Sequence, residues 1–223
     1  MTYFNQEFLK FFSDLQKNNN REWFNENKKN YEKHVKEPFS QFIIELILRL
    51  RDEDQEFCAD PKKAIFRIYR DIRFSKDKTP YKTYASAVLS YGGRKDLESP
   101  GFYVEISHDY FAFYAGAFMV SKDRLLSLRK FIITYKDEFL KLKNDKKFKE
   151  VFREIIGEEN KVLPQEIKTE AEQIPELFKK QFYYKAEYPS AKILENDFTD
   201  FVMEHYFISR PLSDFIYEGM GIL

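Results

Sequence analysis

At 223 residues the chain can bury one sizeable core, and its 43% hydrophobic and 33% charged content is ordinary for a globular protein. Its 37 basic and 37 acidic side chains balance, and a pI near 6.9 argues against a general nucleic-acid coat protein, whose whole domain would be basic. The single cysteine, Cys58, excludes an internal disulfide and a multi-cysteine zinc site, and reads as a buried or half-buried thiol.

The first residues, MTYFNQEFLK, lack the basic-then-apolar pattern of a secretory signal. The longest apolar run, Tyr110 to Val120, falls far short of the roughly 18 residues that a membrane span requires. A cytoplasmic location and no membrane partner are therefore expected. With 24 Phe and 15 Tyr against one Trp, the core is expected to be built from rings.

Phe4, Phe8, Phe11, Phe12 and Leu15 recur at three- and four-residue spacing, which predicts a helix with one apolar face. Asn18-Asn19-Asn20 ends it, and Asn20 is placed to cap the next helix, whose buried side would be Trp23, Phe24 and Tyr31. Pro38 interrupts that helix or opens its successor, because proline is tolerated only in a first turn. Phe39, Phe42, Ile43, Leu46, Ile47 and Leu50 then continue at helical spacing, so helices are expected over 4–52.

After Pro61 the period changes to two. From Ile65 to Phe74, Phe66, Ile68, Ile72 and Phe74 fall on one face and Arg67, Tyr69, Asp71 and Arg73 on the other, which predicts a strand. Ser75 to Pro80 reads as a loop. Thr83 to Tyr91 predicts a second strand, Phe102 to Ser107 a third, and Tyr110 to Ala117 a fourth after a His108-Asp109 turn. Short links favour an antiparallel meander over 65–117.

Helical spacing returns from Ser121, expected as a cap, through Leu125, Leu128, Ile132, Tyr135, Phe139 and Leu142. A shorter helix is expected from Asp145 to Ile156 with Gly157 as its stop, then a surface excursion over Asn160 to Pro175. A short helix to Phe182, an extended piece to Pro189, a helix capped by Asn196 and a last one opened by Pro211 complete the reading, placing the C-terminal helices over 121–218. The expected fold is a single α+β domain, residues 1–223, with an antiparallel sheet of four or more strands covered by helices.

Chemistry concentrates between Ile65 and Tyr84, IFRIYRDIRFSKDKTPYKTY. Arg67, Arg70, Arg73, Lys76, Lys78 and Lys82 face only Asp71 and Asp77, a local excess of four positive charges on a neutral chain. Two guanidiniums flanking a carboxylate and a phenol can grip a phosphate or carboxylate in a bidentate fork, with Asp71 orienting the arginines and the lysines closing from the loop. The same pattern also describes a solvated salt-bridge network, in which exposed pairs contribute only roughly 0–1 kcal/mol each. A third reading places phosphates of a nucleic acid on these cations and bases on Phe66, Tyr69, Phe74, Tyr81 or Tyr84, with Trp23 beside Arg21 as another platform. Core packing competes for each of these rings, most plainly for Trp23 next to Phe24.

Catalytic patterns are sparse. His34, His108 and His205 stand on separate elements, and no nucleophile elbow, paired metal-binding histidines or glycine-rich phosphate loop occurs. Acid–base work by Asp71 or Tyr69, with neighbouring cations stabilising developing negative charge, is the catalytic chemistry this segment can offer. No metal and no cofactor are expected. Expected partners are an anionic small molecule first and a nucleic acid second; a third option is an interaction scaffold in which the motif is structural.

The run Arg70-Asp71-Ile72-Arg73-Phe74-Ser75-Lys76-Asp77-Lys78-Thr79-Pro80-Tyr81-Lys82-Thr83 resembles the hallmark of a bacterial and fungal family known as domain of unknown function 2461. Asn18-Asn19-Asn20-Arg21-Glu22-Trp23-Phe24 is similar to that family's entry motif, with Tyr31 and Pro38-Phe39 following. Pro100-Gly101-Phe102-Tyr103 and Arg210-Pro211-Leu212 extend the resemblance over essentially the whole chain. The resemblance implies a mixed α and β fold, a biochemical role that is not established, and a site in the Arg67 to Lys82 region, joined by Arg21 and Trp23. Position 84 departs from the pattern, since Tyr84 stands where His or Asn is expected.

Overall fold

The structure, a computed structural model, describes residues 2–57, 59–95, 98 and 100–223. The expectation for Cys58 lies outside the described residues, as do Asp96, Leu97 and Ser99 in the link before β2 (Gly101–Ser107). Among the described residues no helix is long and apolar enough to cross a membrane.

Helix α1 (Gln6–Lys17) begins where Asn5 Oδ1 accepts from the N–H of Glu7 at 3.0 Å, and its Phe8, Phe11, Phe12 and Leu15 are all buried. Helix α2 (Arg21–Glu26) is capped as expected, with Asn20 Oδ1 accepting from the Trp23 N–H at 2.9 Å. A short α3 (Lys28–Tyr31) leads into one wide turn over Glu32–Lys36, in which the N–H of Glu37 reaches back five residues to the Glu32 carbonyl. Pro38, second residue of α4 (Glu37–Glu53), explains the widening. It has no N–H for the His34 carbonyl and its ring would clash there, so the chain opens by one residue before the regular spiral resumes.

The expected face of α4 is buried throughout, and Phe42 lies between Phe4, 5.2 Å away, and Phe198, stacked at 5.1 Å. Truncating a fully enclosed ring of this kind to alanine costs about 3–5 kcal/mol. A single turn, α5 (Pro61–Ala64), follows.

The sheet is four-stranded and antiparallel, with β1 (Tyr84–Ser90), β2 (Gly101–Ser107), β3 (Tyr110–Ala117) and β4 (Phe182–Pro189) hydrogen-bonded in that order. The fold is α+β. The β2–β3 turn falls at His108-Asp109 as expected, with Ser107 Oγ accepting from the N–H groups of Asp109 and Tyr110 at 3.0 and 3.1 Å. Two boundaries differ from expectation. Ile65–Phe74 is not one of the named strands, and the sheet gains its fourth member from the piece near Pro189.

The C-terminal half departs further from simple periodicity. The helix expected through Leu142 is broken at Tyr135 (φ −109°, ψ 43°) into α6 (Lys122–Thr134) and α7 (Lys136–Lys143). The β-branched run Ile132-Ile133-Thr134 ends α6, and Thr134 Oγ1 donates back to the Lys130 carbonyl at 3.0 Å, a bond that bends helices. Ser121 precedes α6 without a side-chain capping bond, and Tyr135 is half exposed rather than inward.

Helix α8 (Lys146–Phe152) stops at Arg153, not Gly157. Arg153 takes φ 65°, ψ −62°, and the Glu154 N–H closes a three-residue turn onto the Phe152 carbonyl at 2.7 Å. Residues 160–175 are not a bare surface excursion, because α9 (Gln165–Ala171) buries Ile167 and Ala171. The last two expected helices are one, α10 (Phe198–Gly219), with Pro211 inside it. Its first carbonyl to accept a helical bond belongs to Asp197, one residue after the expected Asn196 cap.

The chain divides into two compact units, neither a contiguous stretch: residues 1–95, 103–113 and 187–203, and residues 96–102, 114–186 and 204–223. The first is packed around Phe8, Phe12, Phe42, Phe111 and Phe198. The second is packed around Phe148, Phe152 and Tyr184, whose hydroxyl donates to the Ser209 carbonyl at 2.8 Å, with His205 buried beside Phe152.

Candidate functional site

All of the sequence's candidate binding residues lie in the first unit. The Ile65–Lys82 segment pairs antiparallel at only two points, Ile65 with Ala87 and Tyr69 with Tyr81. Backbone bonds support these points: Phe66 N–H to Ser86 at 2.9 Å, Arg70 N–H to Pro80 at 2.9 Å, and Lys82 N–H to Ile68 at 2.8 Å. Pro80 offers the returning strand no N–H at that position, so a regular ladder cannot form. The alternation therefore holds only locally. Ile68 is buried, Phe66 and Ile72 are half-buried, and Phe74, expected on the same face, is 95% exposed.

From Arg70 to Thr79 the loop bonds to itself. Arg70 Nη1 donates to the Asp77 carboxylate, to Thr79 Oγ1 and, at 3.2 Å, to the Thr79 carbonyl. Asp77 also accepts from the Thr79 N–H at 2.9 Å and from Thr79 Oγ1 at 3.0 Å. Arg73 grips Asp71 with Nη2 at 2.7 Å and Nε at 3.0 Å, and Lys78 Nζ donates to the Ile72 carbonyl at 2.9 Å. These donors hold both carboxyls down at about 2, Asp71 mainly through the Arg73 side chain and Asp77 mainly through the Thr79 N–H and then Arg70. A carboxylate so stabilised is a weak base, which argues against proton abstraction by Asp71 near neutral pH.

The asparagine run fixes this region to the N-terminal helices. Asn18 Nδ2 donates to the Asp14 carbonyl at 2.9 Å, closing α1. Asn19 bonds both main-chain groups of Tyr81, accepting from its N–H at 3.1 Å and donating to its carbonyl at 2.9 Å. Phe24 then stacks on the Tyr81 ring at 4.1 Å and 17°. Trp23 is half-buried against Phe11 at 5.6 Å.

Two clefts share Tyr69, whose exposure is 50%, in their lining. The larger, about 740 Å³, is walled by Lys28, Tyr31 and Lys36 around the wide turn and by Lys62, Arg67 and Tyr69 opposite. Its other charged lining residues are Arg94, Glu32 and Asp60. Asp60 is committed to capping α5, accepting from the Lys62 N–H at 2.9 Å. Arg94 Nη1 donates to the carbonyls of Lys62 and Ile65 at 2.6 and 2.7 Å. Arg67 makes no hydrogen bond or ion pair among the described residues. Burial pushes the Tyr31 phenol up to about 12, helped by Tyr69 and Glu32, so it stays a hydrogen-bond donor at neutral pH.

The smaller cleft, about 320 Å³, is lined by Arg21, Arg70, Tyr69, Tyr81, Asn25 and Ile72 together with Pro80. Arg67, Tyr69, Arg70, Tyr81 and Arg21 thus meet at the paired clefts, while Asp71, Arg73, Lys76, Lys78, Lys82 and Trp23 line neither. Lys82 stands behind the larger one, its ammonium 4.9 Å from the ring of Phe66, a lining residue. Burial lowers its pKa. Lys28, Tyr31, Lys36, Lys62 and Arg94 line the larger cleft but are not singled out by the charge pattern; for Lys36 the available signal was Pro38, which marks the wide turn. Among the described residues no group of three or more His, Cys, Asp or Glu side chains could hold a metal ion.

A family model described as conserved hypothetical protein DUF2461 matches residues 7–215. The chain belongs to this family. Neither a curated protein nor a solved structure matches it. Membership covers both the Asn18–Phe24 entry motif and the Arg70–Thr83 run, so the residues that fix the clefts are part of the family's matched length.

Proposed function

We propose that this DUF2461 protein binds a phosphorylated or carboxylated small molecule in the larger cleft, with Arg67 as its anchor. The observation that carries the reading is the state of Arg67. Arg70 and Arg73 are paired inside their loop, whereas Arg67 lines a cleft with no partner among the described residues. Lys28, Lys36 and Lys62 share that cleft, and Tyr31 keeps its proton for donation. A guanidinium without an internal partner can offer a bidentate face to an oxyanion without first breaking a protein bond. Backbone bonds from Phe66 to Ser86, from Lys82 to Ile68 and from Arg70 to Pro80 hold the segment that carries Arg67 and Tyr69, which lowers the ordering cost of binding.

A thermal-shift panel of phosphates, nucleotides, sugar phosphates and dicarboxylates tests this. A ligand at about a hundred times its dissociation constant adds about 2.7 kcal/mol, which for a chain of this size raises the midpoint by roughly 5–10 °C. Arg67→Ala should abolish the shift while keeping the wild-type midpoint without ligand. No shift with any class would remove the reading.

Single-stranded nucleic acid is the second reading, favoured by Phe74, which is 95% exposed with the Arg73 guanidinium 5.8 Å from its ring centroid. Steep loss of affinity with salt and a strong effect of Phe74→Ala would select it over the small molecule.

A further inference from the structure

The smaller cleft carries an inference of its own, which rests on the reading of the larger one. Its lining contains two guanidiniums, Arg21 and Arg70, and no carboxylate. Arg70 is held through Nη1 alone, by Asp77 and Thr79, so its orientation is fixed while Nε and Nη2 have no protein partner among the described residues. Arg21 makes no hydrogen bond or ion pair among the described residues. The rest of the lining is neutral: the rings of Tyr69 and Tyr81, with Asn25, Ile72 and Pro80. Tyr81 is itself immobilised, its backbone clamped by Asn19 and its ring stacked on Phe24.

Tyr69, half exposed, lines both clefts. We infer that the smaller cleft is a second anion subsite for the same ligand, and that this ligand carries two anionic groups together with a planar ring that lies against Tyr69. One anion meets Arg67 and the lysines of the larger cleft; the other meets Arg21 and the free edge of Arg70. A half-exposed ring shared by both clefts favours a planar group on the ligand, because aromatic faces stack on it irrespective of ring substituents. A nucleotide with phosphates on both its 5′ and 3′ oxygens has this chemistry: the sugar joins the two anions and the base supplies the planar ring. Joining two subsites makes the second contact intramolecular, so a two-headed ligand gains over a one-headed one without any new contact type.

The test uses the full chain and two probes. In the first, inorganic phosphate is titrated while the arginine Nε–H resonances are followed by NMR. The signals of Arg67 and Arg70 should both move, with separate dissociation constants. In the second, thymidine 5′-monophosphate is compared with a 5′-phosphorylated thymidine dinucleotide, which should bind at least about tenfold more tightly. Arg21→Ala should bring the dinucleotide down to the monophosphate's affinity with an unchanged unfolding midpoint, and Arg21→Lys should recover part of the gain. Movement of Arg67 without Arg70 leaves the larger cleft standing and overturns the second subsite. Movement of both with no gain for the dinucleotide overturns the bridging ligand. Movement of neither overturns both this inference and the reading it rests on.

Discussion

Asn19 holds Tyr81 by both of its main-chain groups, accepting from the N–H at 3.1 Å and donating to the carbonyl at 2.9 Å. One side-chain amide thus does what a neighbouring strand would do, at the point where Tyr69 pairs with Tyr81. Asn19→Ala leaves both groups of Tyr81 unpaired in a part-buried setting and should cost about 1–3 kcal/mol. Asn19→Asp should be worse still, because a carboxylate oxygen would face the Tyr81 carbonyl. Thermal unfolding checks both; a midpoint within a degree of wild type for Asn19→Ala would show that the clamp is not needed.

The Asp77 carboxyl, held at about 2 by the Thr79 N–H and by Arg70, should titrate in the folded protein well below the ordinary aspartate value of about 3.9. Its folded pKa is depressed, so its contribution is complete above the unfolded value and is lost as pH falls through about 2. Carbon-detected NMR of the carboxyl reads the midpoint directly. A value near 4 would mean that the loop is not closed by these bonds in solution.

Tyr31 should keep its proton until pH approaches 12. Here the folded value is raised, so the contribution to stability is present below the unfolded phenol value of about 10 and lost as pH rises through about 12. Tyrosinate absorbance in wild type and Tyr31→Phe gives the test: the variant should lose one phenol from the late-titrating group. Loss of a phenol that ionises near 10 would place Tyr31 in water instead.

Gly116 takes φ +86°, and a Cβ there would stand 2.3 Å from the Phe182 carbonyl oxygen. The left-handed conformation alone costs an alanine about 1–2 kcal/mol, and the backbone contact adds to it. Gly116→Ala should therefore lower the midpoint by more than the roughly 2–4 °C that each kcal/mol brings at this size. An unchanged midpoint would mean that β3 and β4 do not approach as closely as this.

The N-terminal helices were legible because their caps and apolar faces are local: Asn20 caps α2, and Phe8, Phe12 and Leu15 repeat at helical spacing. The fourth strand was harder to place. Phe182, Tyr184 and Ala186 alternate as a buried face, but the partner β3 ends at Ala117, far earlier in the chain, and pairing at that separation leaves no local trace. Phe74 shows the limit of periodicity in another way, since alternation says which residues share a face and not whether anything covers it. Part of the candidate site was legible: the charge excess pointed to Arg67 and Arg70, and alternation put Tyr69 on the same face as Arg67. Charge counting could not separate Arg67 from Arg73, because that difference is set by Asp71 folding back onto one of them. Nor could it supply Lys28 and Lys36, which line the cleft from α3 and from the wide turn before Pro38.

Where an anion settles tests the central claim most directly. Crystals soaked in sodium tungstate, a heavy analogue of phosphate, reveal bound anions by anomalous scattering. The account predicts a peak in the larger cleft within hydrogen-bonding reach of the Arg67 guanidinium, absent from crystals of Arg67→Ala. Peaks confined to Arg73, Lys76 and Lys78 on the exposed loop, or an Arg67 peak that survives the substitution, would contradict it.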